Sequence, residues 1–194
     1  MHRIHITSNN QYIYKMTKNL WHDIETGDEV PEKINVIVEI PKGSMNKYEY
    51  DKKHNIIKLD RVLFSPFHYP GDYGLIPQTL SEDGDPLDAL VLVTNPTYPG
   101  ILIESRPIGL LQMMDDGEAD DKIICVSTND PRYDCKADIA DVEDHYRSEI
   151  AHFFQVYKDL EGKKVEILGW KSAKDAKTVI IESIKRYNDD LKKD

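Results

Sequence analysis

The chain has 194 residues, of which 40% are hydrophobic, and it carries a formal net charge of −10. This length suits one domain with a sizeable core and is short for two. The acidic balance argues against a nucleic-acid backbone as partner, because binding phosphates requires a basic face. No apolar run approaches the ~18 residues of a membrane span, and the two cysteines make no disulfide framework. We expect a soluble, cytoplasmic protein that binds neither nucleic acid nor membrane.

The first 30 residues differ in character from the rest of the chain. They are polar and only weakly periodic, so residues 1–30 predict an N-terminal arm or a peripheral hairpin. Residues 31–194 are expected to form a single domain. That domain opens with Ile34–Ile40, whose β-branched side chains predict a strand, and residues 47–51 and 56–64 continue as an antiparallel meander.

The segment 66–77 is dense in residues that interrupt regular structure. It contains three prolines and two glycines among aromatic side chains, so it is predicted to be irregular and to line a cavity. Beyond it, strands are predicted at 88–94, 101–114 and 122–127. Frequent turns between short strands are typical of a barrel or a sandwich.

The hydrophobic period changes near the C-terminus. Apolar residues spaced three or four apart predict an amphipathic helix over 141–160, followed by a strand at 165–168. Ser172 and Asp175 resemble a capping box, which predicts the start of a last helix. Strands first and helices last are the pattern of an α+β domain.

The acidic loop, residues 83–88 with the sequence Asp-Gly-Asp-Pro-Leu-Asp, places three carboxylates within six residues. Like charges so close repel one another unless they lie open on the surface or around a divalent cation, so a surface turn and a metal site both suit this composition. A second acidic run covers residues 115–121. If the two segments face each other, all their ligands are oxygens, which favours magnesium, manganese or calcium over zinc. Neither segment has the spacing of an EF-hand loop.

Four basic residues lie beside acidic or aromatic residues in the segments that flank these acidic stretches. A single lysine is most simply a solvated surface charge. Four cations placed inward are expensive unless they neutralise an anion, and three tyrosines could add hydrogen-bond donors. With the carboxylates they predict a site for magnesium and phosphate, formed by Lys47, Arg61, Lys122, Lys158, Tyr69, Tyr73 and Tyr157.

The acidic loop resembles the specific D-G-D-P-x-D signature of soluble inorganic pyrophosphatases of the first family, prokaryotic type. Further blocks resemble that family in order from about residue 30 to about residue 190, and the N-terminal arm lies outside them. These blocks are 38–41, 47–49, 60–61, 69–74, 115–122 and 152–158. The resemblance implies a small closed, OB-like β-barrel with two flanking α-helices near the C-terminus. It also implies a homohexamer, with the helix that carries His152 near a subunit contact.

The resemblance further implies magnesium-dependent hydrolysis of pyrophosphate to two orthophosphates, with Mn²⁺ or other divalent cations able to substitute. Asp85 would orient and deprotonate the attacking water. Several Mg²⁺ ions would be held by Asp83, Asp88, Asp115 and Asp120. The phosphates would be bound by Lys47, Arg61, Tyr73, Lys122, Tyr157 and Lys158, with Glu39, Glu49 and Tyr69 in supporting places. Asp116 departs from the family, since many members have glutamate there.

The expected chemistry also follows from the charge of pyrophosphate. Attack by water requires the charge of this dense anion to be neutralised. Two cations ~3.5–4 Å apart could share one water and lower its pKa from about 15.7 toward about 7, so a metal-activated water is the expected nucleophile. Three other functions stay open: a divalent-cation binding module, a barrel that binds single-stranded nucleic acid, and a hydrolase of another phosphoanhydride. A nucleotide substrate is less favoured, because the sequence has no Gly-x-x-x-x-Gly-Lys loop.

Overall fold

The structure, a computed structural model, describes residues 18–193, so most of the predicted N-terminal arm lies outside the described residues. The helices are α1 (Asp144–Val156) and α2 (Ala173–Asp190). The strands are β1 (Ile34–Ile40), β2 (Asn46–Asp51), β3 (Ile56–Val62), β4 (Asp72–Leu75), β5 (Asp88–Leu92), β6 (Leu102–Asp115), β7 (Glu118–Ala119), β8 (Lys122–Ser127) and β9 (Val165–Ser172). Neither helix of this described part has the length and apolar character to span a bilayer.

Seven strands form one mixed sheet, and β2 and β3 form a separate two-stranded hairpin. The pairing runs from β1 through β4, β5, β8 and β6, and β6 pairs back to β1. Every pair is antiparallel except β5 with β8, which are parallel. The long β6 also pairs with β7 and β9. The predicted α+β class is confirmed as a mixed sheet with two helices.

The register of this sheet brings charged residues together at one edge. β5 begins at Asp88 and β8 begins at Lys122, and the parallel register places these two residues opposite each other. β6 runs antiparallel to β8 and pairs Leu111 with Lys122, so its last residues, up to Asp115, extend beyond the same edge. Asp88 of β5 therefore meets Lys122 of β8, and Asp115 of β6 lies near the same end of the sheet.

The prediction of irregular backbone over residues 66–77 is wrong for its second half, where β4 lies. β4 pairs with β1 on one side and with β5 on the other, and these long-range partners supply hydrogen bonds that the local sequence does not indicate. Gly74 suits this strand because the backbone of β1 comes very close. A Cβ at this position would lie 1.9 Å from the carbonyl oxygen of Ile37. Tyr73 of the same strand lines a cavity, as predicted for the segment.

The antiparallel meander predicted over the first three strands is only partly correct. β2 and β3 pair antiparallel with each other, but β1 lies between β4 and β6 in the sheet. The hairpin is instead linked to β1 through a side chain, because Glu39 Oε1 accepts a hydrogen bond of 2.6 Å from the backbone nitrogen of Tyr50. A local hydrophobic pattern predicts that a segment is a strand but not which strand it pairs with.

The two helices occur where the hydrophobic period predicts them, although α1 is shorter than the predicted span of 141–160. Asp141 belongs to a preceding 3₁₀ turn, and a second such turn after α1 ends at Gly162, which is left-handed with φ +73°. Helix α2 begins after Ser172, whose side chain forms the predicted capping box with Asp175. This local signal is confirmed because its two residues lie within one helical turn of each other and need no tertiary partner.

The apolar run of β5 is buried on both faces. Leu90 and Leu92 pack in a cluster that includes Phe154 of α1, whereas Ala89 and Val91 pack in a second cluster with residues of α2. Successive side chains of a strand point to opposite faces, so one strand anchors both helices. Burying each large apolar side chain contributes about 1.5–3 kcal/mol. The strand that begins at Asp88 is therefore held firmly from both sides.

Candidate active site

A cavity of about 570 Å³ opens at the sheet edge where β5 and β8 begin. The acidic loop and the second acidic run both contribute to its wall, and residues of β2 close another side. The two acidic segments, which are some thirty residues apart in sequence, thus face the same space. The predicted residues found on the wall are Glu39, Lys47, Glu49, Tyr73, Asp83, Asp85, Asp88, Asp115, Asp120, Lys122, Tyr157 and Lys158.

Lys122 is buried in the cavity wall, with 2% of its side chain exposed. Its Nζ donates to Asp88 Oδ2 at 2.7 Å and to the carboxylate of Asp120. Burial lowers the pKa of this lysine, but the two carboxylates outweigh that effect and raise it above the usual value. Burial also raises the pKa of Asp120, although the charge of Lys122 opposes the rise. Lys122 therefore stays charged and forms ion pairs with two carboxylates where almost no water reaches its ammonium group.

Lys158 forms an ion pair with Asp115. Its Nζ donates to one oxygen of that carboxylate, Oδ2, and not to the other. Asp115 Oδ1 is buried, and no partner for it exists among residues 18–193. A buried oxygen without a partner destabilises the folded state, because it has lost its hydrogen bonds to water. A divalent cation in the cavity would satisfy this oxygen, and carboxylate oxygens are the ligands that Mg²⁺ prefers.

Five carboxylates of the wall, those of Glu49, Asp85, Asp88, Asp115 and Asp120, are paired with lysines and are not gathered into a ready metal cage. Within the described part of the chain, no three His, Cys, Asp or Glu side chains stand close enough together to hold a metal ion. Lys122 lies between Asp88 and Asp120, which is the physical reason. A divalent cation that bound these carboxylates would release the lysine for an anion. The donor set consists of oxygens alone and fits a hard cation.

Lys47 of β2 brings a third lysine to the wall. Its Nζ lies 3.3 Å from Glu49 Oε2 and 3.2 Å from Asp60 Oδ2. Burial lowers the pKa of Lys47, but Asp60 first and Glu49 second outweigh it, so the pKa is raised. The lysine is charged and held in place by two carboxylates, one of which, Glu49, also lines the cavity.

Glu39 is a buried carboxyl group on the floor of the cavity. Burial raises its pKa to about 8, and the nearby Asp88 carboxylate adds to the rise, while the hydrogen bond from Tyr50 opposes it. In the absence of divalent cations Glu39 is therefore protonated at neutral pH in the folded protein, whereas its ordinary pKa of 4.5 leaves it ionised in the unfolded chain.

A pH-dependent stability difference follows from this raised pKa. A carboxyl group with a raised folded-state pKa stabilises the fold fully below pH 4.5, and this contribution is lost as the pH rises to about 8. We expect Glu39→Gln, which keeps the acceptor for Tyr50, to gain stability relative to the wild type across that window. Denaturant unfolding of both proteins in chelator at pH 5 and pH 8 measures this. A difference that does not change with pH would contradict the prediction.

The tyrosines differ in their access to the cavity. Tyr73 and Tyr157 line it, and burial raises the pKa of each hydroxyl, so both remain protonated donors at neutral pH. Tyr69 is not on the wall. Its ring lies behind them, with its centroid 5.6 Å from that of Tyr73 and 4.8 Å from that of Phe153. Tyr69 thus supports the two tyrosines that reach the cavity.

Arg61 is the predicted cation that the structure does not place on the wall. Its Nε and Nη2 donate to the two carboxylate oxygens of Glu161 at 2.9 and 2.6 Å, and its Nη1 donates to Asp60. Burial lowers the pKa of Arg61, but these ion pairs outweigh it and raise the pKa. A bidentate arginine–carboxylate pair is strong. Arg61 therefore reaches a ligand in the cavity only by giving up Glu161.

Three charged residues on the wall are missing from the set that the sequence predicted: Asp51, Lys52 and Glu118. Lys52 is the most informative of them, because its Nζ lies 2.5 Å from Asp85 Oδ1. Lys52 follows the end of β2 in a charged turn and looks like any solvated lysine in sequence. Glu118 lies inside the second acidic run, which was a signal that could have been used.

Asp116, the departure from the family pattern, points away from the cavity. Its backbone nitrogen donates to the carbonyl oxygen of Lys164, and its side chain accepts from the backbone nitrogen of the same residue at 3.1 Å. The residue has φ +49°, a left-handed conformation that aspartate tolerates better than most residues. Its side chain, which is shorter than that of glutamate, thus forms a backbone contact at the turn that follows β6.

Carboxylates, lysines and tyrosines on one cavity wall are typical of enzymes that act on phosphate groups with the help of divalent cations. The family model described as inorganic pyrophosphatase matches residues 36–188. The chain belongs to the inorganic pyrophosphatase family and is a hydrolase of that kind.

Individual relatives agree with this assignment. An inorganic pyrophosphatase of Halobacterium salinarum is 51% identical over 172 residues, which cover 88% of this chain and 97% of that protein. One of Geobacillus stearothermophilus is 53% identical over 156 residues, covering 80% and 94%. The crystal structure of inorganic pyrophosphatase from Thermus thermophilus matches with a TM-score of 0.86 at 48% identity, covering 88% of this chain and 99% of that one.

Proposed function

We propose that this enzyme hydrolyses inorganic pyrophosphate to two orthophosphates, that the reaction requires Mg²⁺, and that the attacking nucleophile is a metal-activated water. The observation that carries the proposal is the meeting of six aspartates and four lysines on one cavity wall, in a chain of the inorganic pyrophosphatase family. Opposite charges so close together suit a ligand that consists of a polyanion and its cations.

Asp83, Asp88, Asp115 and Asp120 are the metal ligands in this proposal. The partnerless oxygen of Asp115 and the all-oxygen donor set support it. Divalent cations, when bound, would neutralise the charge of pyrophosphate and lower the pKa of water. Mn²⁺ or another hard divalent cation could take the place of Mg²⁺.

Asp85 is the catalytic residue in this proposal and takes the proton of the attacking water. Its side chain is 64% exposed and lies on the cavity wall, so a water molecule can reach it. The acidic loop places it between two proposed metal ligands, Asp83 and Asp88. A carboxylate at this position both orients the water and receives its proton.

The phosphates are bound by the cations and tyrosines of the wall. Lys122 and Lys158 now pair with carboxylates, and they would exchange these partners for phosphate oxygens as cations take over the carboxylates. The remaining contacts come from Lys47, Tyr73 and Tyr157, and from Arg61 after it leaves Glu161. Cationic side chains then stabilise the leaving phosphate, so no covalent intermediate is needed. Glu39, Glu49 and Tyr69 are supporting residues. Glu39 accepts a hydrogen bond from the backbone of β2, Glu49 forms an ion pair with Lys47, and the ring of Tyr69 packs against that of Tyr73.

The proposal extends to the fold and the assembly. We take residues 31–194 as one domain built on a closed, OB-like barrel, which the return of the strand pairing from β6 to β1 supports.

We take the protein as a cytoplasmic homohexamer with the α1 residue His152 near a subunit contact. Unpaired cysteines support the location. Apolar side chains about half exposed on β3 support assembly. A stable, active monomer in gel filtration would contradict the hexamer.

The test of the proposed reaction is orthophosphate release from pyrophosphate with Mg²⁺ and with an excess of chelator. We expect rapid release with Mg²⁺ and loss of activity in chelator, restored by adding Mg²⁺ back. Parallel assays with ATP and with tripolyphosphate separate the substrates. Faster turnover of either would point to a different phosphoanhydride, and metal binding without any turnover would favour a cation-binding module.

A further inference from the structure

Lys52 binds the acidic loop from across the cavity. Its Nζ donates to Asp85 Oδ1 at 2.5 Å and to the carbonyl oxygen of Gly84 at 3.0 Å. The two contacts fix both a side chain and the backbone next to it. Lys52 comes directly after β2, so it joins the hairpin to a loop that lies more than thirty residues further along the chain.

Trp21 holds Lys52 in this direction. The ammonium group lies over the indole ring, 4.7 Å from its centroid, which is a cation–π contact. Trp21 itself is 9% exposed and packs in a cluster with Tyr50 and Tyr187. An indole fixed by its own packing limits the directions that the flexible lysine can take.

The same tryptophan is tied to the segment that leads into the acidic loop. Its Nε1 donates to the carbonyl oxygen of Thr79 at 2.8 Å, and its carbonyl oxygen accepts from the backbone nitrogen of Gln78 at 2.9 Å. The hydroxyl of Thr79 in turn accepts from the backbone nitrogen of Leu87 at 2.9 Å. Trp21 thus contacts the segment that leads into the acidic loop, and Lys52 contacts the loop itself at Gly84 and Asp85.

Among the contacts of residues 18–193, few others hold the loop near Asp85. Its local hydrogen bonds join Asp85 to Asp83 and to Ser81, and the backbone nitrogen of Gly84 also donates to the carbonyl oxygen of Ser81 at 3.2 Å. Gly84 has φ +87°, and a Cβ there would meet nothing within 4 Å, so the turn is open to solvent. A direct charged contact from Lys52 is therefore well placed to decide where the Asp85 carboxylate lies.

We propose that Lys52, braced by the indole of Trp21, is a positioning residue that holds Asp85 and the acidic loop in the arrangement needed for hydrolysis. The inference rests on the proposed function in so far as Asp85 is the proton acceptor. Lys52 acts through Asp85 and does not itself bind phosphate. Displacing a reacting group by about 1 Å can cost up to about a hundredfold in rate, so the position of Asp85 matters more for kcat than for substrate affinity.

Three variants test the role of Lys52. Lys52→Met keeps the length of the side chain and removes the charge, Lys52→Arg restores a donor, and Lys53→Met makes the same change at the exposed neighbour. We expect Lys52→Met to lower kcat about tenfold to a hundredfold with KM for pyrophosphate within about twofold. Lys52→Arg recovers part of kcat, and Lys53→Met is unchanged. A raised KM with unchanged kcat would overturn the proposal, because it would make Lys52 a substrate ligand.

A second measurement does not depend on activity. Amide hydrogen exchange, followed by mass spectrometry in chelator, is expected to become several times faster in residues 81–88 of Lys52→Met and to stay the same in Lys53→Met. A Tm change of about 4 °C or less is expected, because exposed ion pairs add little stability. Unchanged exchange in the loop would overturn the proposal even if the protein hydrolyses pyrophosphate. Faster exchange in a protein without pyrophosphatase activity would reject the proposed function and keep the positioning role.

Discussion

Replacing Asp85 by asparagine is expected to lower kcat for pyrophosphate hydrolysis by about 10²–10⁴-fold. Asparagine has nearly the same shape and can still accept the hydrogen bond from Lys52 through its amide oxygen, so the loop keeps its place. It cannot take a proton from water at neutral pH. Phosphate release at saturating pyrophosphate and Mg²⁺ measures the loss. Calorimetry measures metal binding, which we expect to remain because the four proposed metal ligands are intact.

Asp116→Asn is the matched control for this experiment. It makes the same chemical change in the second acidic run, at a side chain that contacts the backbone of Lys164 and does not line the cavity. Asparagine also tolerates the left-handed conformation of this position. We expect its kcat to stay within about twofold of the wild type. If Asp85→Asn retained comparable activity, another group would have to accept the proton.

Replacing Lys122 by methionine is expected to lower the free energy of unfolding by about 3–5 kcal/mol in the absence of divalent cations. Methionine fills a similar volume, so the loss comes from charge. Without the ammonium group, Asp88 and Asp120 face each other, partly buried, with no opposite charge between them. Denaturant unfolding in chelator measures the effect. Lys174→Met, which changes an exposed lysine of α2, is the control and should differ by less than about 1 kcal/mol.

Divalent cations should reverse much of this loss. A cation bound by Asp88 and Asp120 competes with Lys122 in the wild type and meets no such competitor in Lys122→Met. We therefore expect Mg²⁺ to raise the unfolding free energy of the variant by more than that of the wild type. The activity of the variant stays low, because a proposed phosphate ligand is missing. Equal stability of the two proteins in chelator would show that Lys122 does not neutralise these carboxylates.

Much of the fold was accessible from local pattern. The apolar run of β5, the β-branched residues of β1 and the capping box of α2 each predict their element correctly, because neighbouring residues alone determine these signals. Local sequence patterns did not predict which strands pair with each other. β1 pairs with β4 and β6, and β4 was predicted to be irregular, because strand partners come from distant parts of the chain. The close approach of the β1 backbone at Ile37 to Gly74 has no signal in the sequence beyond the glycine itself.

The acidic loop, the second acidic run and the flanking lysines were all visible in the sequence, and residue type with spacing sufficed to suggest metal and phosphate chemistry. Their mutual contacts were not visible. Lys122 lies between Asp88 and Asp120 because β5 and β8 are parallel and in register. Arg61 forms an ion pair with Glu161, which lies one hundred residues further along the chain. Lys52 contacts Asp85 because the tertiary structure brings the end of β2 close to the acidic loop.

Residue identity and short-range periodicity were thus enough to indicate the family, the two acidic segments and most of the strands and helices, although not β4. The folded chain was needed to see which lysine pairs with which carboxylate, which oxygen of Asp115 has no partner among residues 18–193, and which side chains are buried. The physical reason is that charge interactions depend on distance and burial. Both are set by packing between segments that lie far apart in the chain.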